Sequence, residues 1–91
     1  MNIETLFDLI TERKRAMPAG SYTTSLFEEG RDKIVKKVGE ESAEVILAAC
    51  AQGQQRLIEE VADLTYHVLV LMAEQGITPE DVEAELTRRH Q

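Results

Sequence analysis

Residues 36–72 read KKVGEESAEVILAACAQGQQRLIEEVADLTYHVLVLM, and this stretch decides the fold. Two apolar-periodic segments flank a polar break at Gln52, Gly53, Gln54 and Gln55. Each segment carries carboxylates three apart: Glu41 and Glu44 on the first, Glu60 and Asp63 on the second. Residues three apart are neighbours on a helix surface, so each pair projects from one side. Positions 41 and 63, like positions 44 and 60, are symmetric about position 52, inside the break. A short loop there sets Glu41 level with Asp63 and Glu44 level with Glu60 in an antiparallel helical hairpin. Four carboxylates are thereby expected at one spot.

The setting of these acids carries the argument further. At about 100° per residue, Glu41 falls within the stripe Ile34, Val38, Val45, Ala48, and Glu60 within Leu57, Leu64, His67, Leu71. Glu44 and Asp63 lie at the stripe edges. Close carboxylates raise one another's pKa and do not all stay ionised without a counter-charge. A divalent cation supplies it, and ligation by oxygen alone favours a hard ion, Mg²⁺ first and Mn²⁺ second. Either pair taken alone reads as a solvated helix face in a chain with 17 acids among 91 residues. Both pairs together, in register and beside an apolar seam, point to a metal site.

Length and charge bound the rest. Residues 1–91 suffice for one domain. A chain this short buries only about 60–65% of its unfolded surface, so oligomerisation is a natural remedy. No segment nears the roughly 20 apolar residues of a membrane span, and no basic-then-apolar leader opens the chain. The single cysteine, Cys50, has no internal partner, and these features together favour the cytoplasm. Seventeen acids against ten bases give a net charge of −7, which argues against a nucleic-acid backbone as partner. A phosphorylated small molecule stays compatible if metal ions offset the acids.

Before the hairpin, residues 2–16 read as a helix with Ile3, Leu6, Phe7, Leu9 and Ile10 on one face and Asn2 as N-cap. Arg13, Lys14 and Arg15 give its end the positive charge that suits a helix C-terminus. Pro18 and Gly20 then break the helix, and Ser21, Tyr22 and Thr23 supply hydroxyls suited to a phosphate or ribose, with ordinary loop polarity as the alternative. A short helix over 24–29, capped by Thr23 or Thr24, should bury Leu26 and Phe27 and end at Gly30. Asp32 is the expected cap of the first long helix, to Ala51. Lys37 shares the side of Glu41 and Glu44 and either meets a phosphate or pairs with the acids. Gly39 costs helix stability of about 1 kcal/mol against Ala, which points to close packing or ligand approach. Glu40 points about 100° from Glu41 and suits a base, a partner of a coordinated water or a solvated acid.

The second long helix spans about Gln54–Gln75 and ends at Gly76, with apolar residues on more than one face, so a subunit interface is expected. His67, one turn past Asp63, reads more readily as a structural residue than as a ligand. Thr78, Pro79, Glu80 and Asp81 form a helix start, after which Val82 and Leu86 should face inward.

Lys37-Val-Gly-Glu-Glu-Ser-Ala-Glu44, followed by Glu60-Val-Ala-Asp63-Leu-Thr-Tyr-His67, resembles the phosphoribosyl-ATP pyrophosphatases of histidine biosynthesis. The Ser21–Thr23 loop, Leu26, Gly30 and the segment from Ala73 to Gly76 extend the resemblance over essentially the whole chain. The acidic pattern alone specifies the wider MazG-like all-α nucleoside-triphosphate pyrophosphatases. The loop, the Lys-Val-Gly lead-in and the Tyr-His tail narrow it. The resemblance implies an all-α dimeric four-helix-type bundle, a hairpin with short flanking helices, free of the cyclohydrolase domain to which many relatives are fused. It implies Mg²⁺-dependent hydrolysis of phosphoribosyl-ATP to phosphoribosyl-AMP and pyrophosphate. Glu41, Glu44, Glu60 and Asp63 would then be metal ligands, and Glu40 a catalytic helper beside Glu41. Lys37, Ser21, Tyr22 and Thr23 would be substrate contacts, with Arg13 or Lys14 completing the cradle. A MazG-like house-cleaning activity on non-canonical triphosphates is the alternative. A di-metal redox bundle fits less well, because neither long helix places a Glu three residues before a His.

Overall fold

The computed structural model describes residues 1–91 as five helices with no strand: α1 Ile3–Ala16, α2 Tyr22–Glu29, α3 Arg31–Ala51, α4 Gln54–Gln75 and α5 Pro79–Arg89. The all-α class expected from the periodicity is observed. Helices α3 and α4 form the antiparallel hairpin, turned by Gln52 and Gly53 alone. Gly53 takes φ +87°, a left-handed conformation that a side chain disfavours. The two-residue turn holds the register that the acid spacing requires.

Most of the hydrophobic core sits at one end of this hairpin. Phe7 and Ile10 of α1, Leu26 of α2, Ile34 of α3, and Leu69, Val70 and Ala73 of α4 form one buried cluster. These α3 and α4 residues lie far from the turn, so α1 and α2 cover the root of the hairpin and leave its tip bare. Near the tip Ile46, Leu47, Ile58 and Val61 are exposed, at 66%, 49%, 56% and 44%. Only 12 of 91 residues are buried, a small core for a domain of this length.

Local chemistry explains the ends of the helices. Asn2 caps α1 in a capping box: its Oδ1 accepts from the Thr5 amide at 2.8 Å, and Thr5 Oγ1 accepts from the Asn2 amide at 3.0 Å. Thr78 and Asp81 make the same reciprocal pair at α5, with Pro79 at its start. Gly76 ends α4 in the left-handed region at φ +75°. Lys14 Nζ donates to the Ala73 carbonyl at 2.8 Å, tying the end of α1 to the end of α4.

Four expectations need correction. Helix α2 starts at Tyr22 rather than at 24, because Ser21 is its cap and accepts from the Thr24 amide at 3.2 Å. Helix α3 starts at Arg31 directly after Gly30, whose φ of +92° makes the corner, so Asp32 lies within the first turn instead of capping it. Val82 and Leu86 do not face inward; they are 44% and 52% exposed, since α5 packs mainly on α1 and buries no residue. Gly39 has no close neighbour within the chain: a Cβ there would meet nothing within 4 Å.

Candidate metal centre and nucleotide site

Three of the four expected acids converge. Glu41 of α3 and Glu60 and Asp63 of α4 each offer an oxygen, and these oxygens lie within 4.8 Å of one another. Glu60 is buried, Glu41 half-buried and Asp63 exposed, so the cluster opens to solvent on the Asp63 side. Glu44 is exposed and outside this group. Its charge still reaches Arg56, the cation paired with Glu60.

Two cations balance the cluster. Lys37 Nζ lies 3.6 Å from Glu41 and 4.0 Å from Glu40, which is itself exposed. Burial works against the charge of this ammonium, but Tyr22, Glu40 and Glu41 outweigh it and hold the Lys37 pKa above its ordinary value. Arg56 pairs with Glu59 at 2.7 Å and with buried Glu60. These acids raise its pKa: the hydrogen bond that Arg56 donates to Glu59 first, then the charge of Glu60, with Glu44 contributing least. Arg56 lies one turn before Glu60, so the i,i+4 spacing in the sequence is the signal for this pair. Asp63 has no cation partner and no hydrogen bond to its carboxylate among the polar contacts of the chain. Three carboxylates from two helices, one of them unpaired, form a donor set of oxygens that fits a hard divalent cation.

The hydroxyl-bearing loop divides into separate roles. Gly20, Ser21, Tyr22, Thr24, Ser25 and Glu28 line an open cleft of about 330 Å³ at the start of α2. Thr24 Oγ1 is buried without a hydrogen-bond partner. Tyr22 is half exposed, and the charges of Lys37 and Glu41 reach its phenol. Desolvation raises the Tyr22 pKa; Lys37 opposes this, and Tyr66, Glu41 and Glu29 add to it. Thr23, by contrast, is buried and bonded to the Tyr66 hydroxyl, so it faces the protein rather than the cleft. Arg13, half-buried, makes no ion pair and does not join the acid cluster. Lys14 is committed to Ala73, ten residues or about 15 Å of helix beyond Asp63.

The site also contains what the spacing of acids did not reveal. His67 and Tyr66 of α4 meet Tyr22 and Thr23 of α2 in a cluster of three rings. The Tyr-His pair at the end of the acidic motif was the visible signal, but the partners from α2 depend on tertiary packing.

The family described as phosphoribosyl-ATP pyrophosphohydrolase matches residues 3–90. A phosphoribosyl-ATP pyrophosphatase of Pelotomaculum thermopropionicum is 54% identical over 98% of this chain and 91% of its own length. That of Lacticaseibacillus casei is 57% identical over 97% of this chain and 80% of its own. That of Sulfolobus acidocaldarius is 49% identical over 96% and 92%, respectively. With the match running from the first helix to the last, the chain belongs to the phosphoribosyl-ATP pyrophosphohydrolase family.

Proposed function

We propose that this enzyme hydrolyses phosphoribosyl-ATP to phosphoribosyl-AMP and pyrophosphate with a Mg²⁺ ion held by Glu41, Glu60 and Asp63. The observation that carries this reading is the meeting of those three carboxylates across α3 and α4. Glu44, one turn from Glu41, would join them by a change of rotamer. Glu41, Glu60 and Asp63 would hold Mg²⁺, which when bound would supply charge neutralisation at the phosphates and a lowered pKa for water, the two requirements of anhydride hydrolysis. Mn²⁺ satisfies the same oxygen donors.

The chain's own residues supply the rest. Lys37, at the rim of the cluster, meets phosphate oxygens by giving up its contacts with Glu40 and Glu41. Glu40, outside the carboxylate group and exposed, is then free to take the proton of the attacking water. The cleft at Ser21 and Tyr22 offers hydrogen bonds to a sugar or phosphate. Thr23 contributes indirectly by anchoring Tyr66.

We infer further that the working form is a homodimer. Ile46 and Ile58 lie at the same height on the hairpin tip, and both are exposed. Ile3, Leu64, Val68, Met72 and Val82 line a groove of about 410 Å³ along α4. A second copy covering these faces completes a four-helix bundle and supplies the core that one chain lacks. No helix is long and apolar enough to cross a membrane.

The test is Mg²⁺-dependent pyrophosphate release from phosphoribosyl-ATP compared with a panel of deoxynucleoside triphosphates. The reading expects a strong preference for phosphoribosyl-ATP. Preference for the deoxynucleotides would move the enzyme to the house-cleaning activity of its MazG-like relatives.

A further inference from the structure

His67 is 5% exposed in the middle of α4. Its Nδ1 lies 2.8 Å from the backbone carbonyl of Asp63. A carbonyl only accepts, so Nδ1 carries the proton. In the neutral ring Nε2 is then an acceptor, and the Tyr22 hydroxyl, 3.0 Å away, donates to it. The imidazole also stands edge-on to Tyr22 and Tyr66, with ring centroids 5.9 and 4.9 Å away. Thr23 is bonded in turn to the Tyr66 hydroxyl.

Two successive residues at the start of α2 are thus tied to two successive residues of α4. Packing alone does not require this. Leu64 and Leu71 occupy the same stripe one turn to either side of His67, and a buried polar ring is costly unless its nitrogens find partners. Here both find them, and the partners are informative. One is the backbone of Asp63, whose side chain belongs to the acid cluster. The other is Tyr22, which lines the cleft and has half its surface in solvent.

We infer that His67 is a positioning residue: it holds Tyr22 and the cleft at the start of α2 in fixed relation to the helix that carries Glu60 and Asp63. This rests on the reading of the acid cluster as the metal end of a nucleotide site. The acids stay in place without His67, because the turn at Gln52 and Gly53 sets their register. The residue therefore acts on nucleotide binding and leaves ion binding alone.

The test combines three readouts. Nitrogen-15 NMR of the wild-type imidazoles is interpretable, since the chain has two histidines and His90 is exposed. His67 should show a protonated Nδ1 and a bare Nε2, and Tyr22→Phe should shift the Nε2 signal. His67→Phe keeps ring volume and edge-on packing but cannot accept the phenol. It should raise KM for the nucleotide about tenfold, the weight of one hydrogen bond, with kcat and Mg²⁺ affinity each within about twofold. Tyr22→Phe should raise KM at least as much, and the double variant should be no worse than Tyr22→Phe alone. His67→Gln, whose amide oxygen can accept from Tyr22, should recover part of the loss, and it serves equally if His67→Phe does not fold. A proton on Nε2, an unchanged KM, additive effects, or parallel losses in kcat and Mg²⁺ affinity would each overturn the inference. If the wild type prefers a nucleotide other than phosphoribosyl-ATP, the proposed substrate falls, while the His67 prediction is read on the preferred one. Absence of hydrolysis of any nucleotide would overturn both.

Discussion

Glu60→Gln removes one charge from the cluster and keeps its shape. In the ion-free protein, carboxylates with oxygens within 4.8 Å repel one another by about 0.9 kcal/mol per pair in water and about 3.5 kcal/mol at an effective dielectric near 20. Arg56, hydrogen-bonded to Glu60, offsets part of this. Relief of repulsion and loss of the ion pair oppose each other, so each protein's ion-free stability serves as its own reference. The ion should change this balance. At one hundred times its Kd, a bound ion stabilises the fold by about 2.7 kcal/mol. For a domain of this size that is a rise in Tm of roughly 11–22 °C. Losing an outer-shell partner of a ligand costs 10–100-fold in affinity, so losing a ligand itself should cost about 100-fold or more. At the same Mg²⁺ concentration the variant would gain only about 0.4 kcal/mol, or roughly 2–3 °C. Scanning calorimetry of both proteins, with and without Mg²⁺, makes the comparison. Equal Mg²⁺-induced shifts in the two would refute the assignment of Glu60 as a ligand.

Three further outcomes follow from the same geometry. Ile58→Glu, at the bare tip of the hairpin, should convert the proposed dimer to monomer in sedimentation; a variant still dimeric would place the interface elsewhere. Gly39→Ala should stabilise by about 1 kcal/mol in urea unfolding, since the added methyl meets open space and improves helix propensity. Destabilisation would instead reveal a close neighbour on that face, such as a second copy. In Tyr66→Phe, Tyr22 is the one remaining phenol and should ionise above the ordinary value of about 10 by ultraviolet titration, because burial disfavours its anion. With the native pKa raised, its contribution to stability is whole below about pH 10 and is lost as pH climbs through the higher native value; ionisation at or below the ordinary value would contradict this.

The hairpin and its register were legible because two independent periodicities coincide. The apolar stripes define the helices, and acid pairs symmetric about a polar break define how they face each other. Asn2, Thr78, Pro79 and Gly76 were legible as helix ends because capping is local chemistry. Ser21 was harder, since Thr23 and Thr24 are cap residues of the same kind and only the path of the loop selects among the three. The outward face of Val82 and Leu86 was not legible, because amphipathicity shows that a helix has an apolar side without showing what covers it. Glu44 shows the limit of height matching: it equates positions along the helix axes, while convergence also depends on rotation about them. The burial of Thr23 and the His67–Tyr22 contact join residues more than 40 positions apart, beyond the reach of any local pattern.

The most direct test is where a divalent ion sits. Crystals grown with Mn²⁺ and measured at its absorption edge should show an anomalous peak about 2–2.6 Å from oxygens of Glu41, Glu60 and Asp63. No peak at that point, or a peak held by other residues while these three face bulk solvent, would contradict the account.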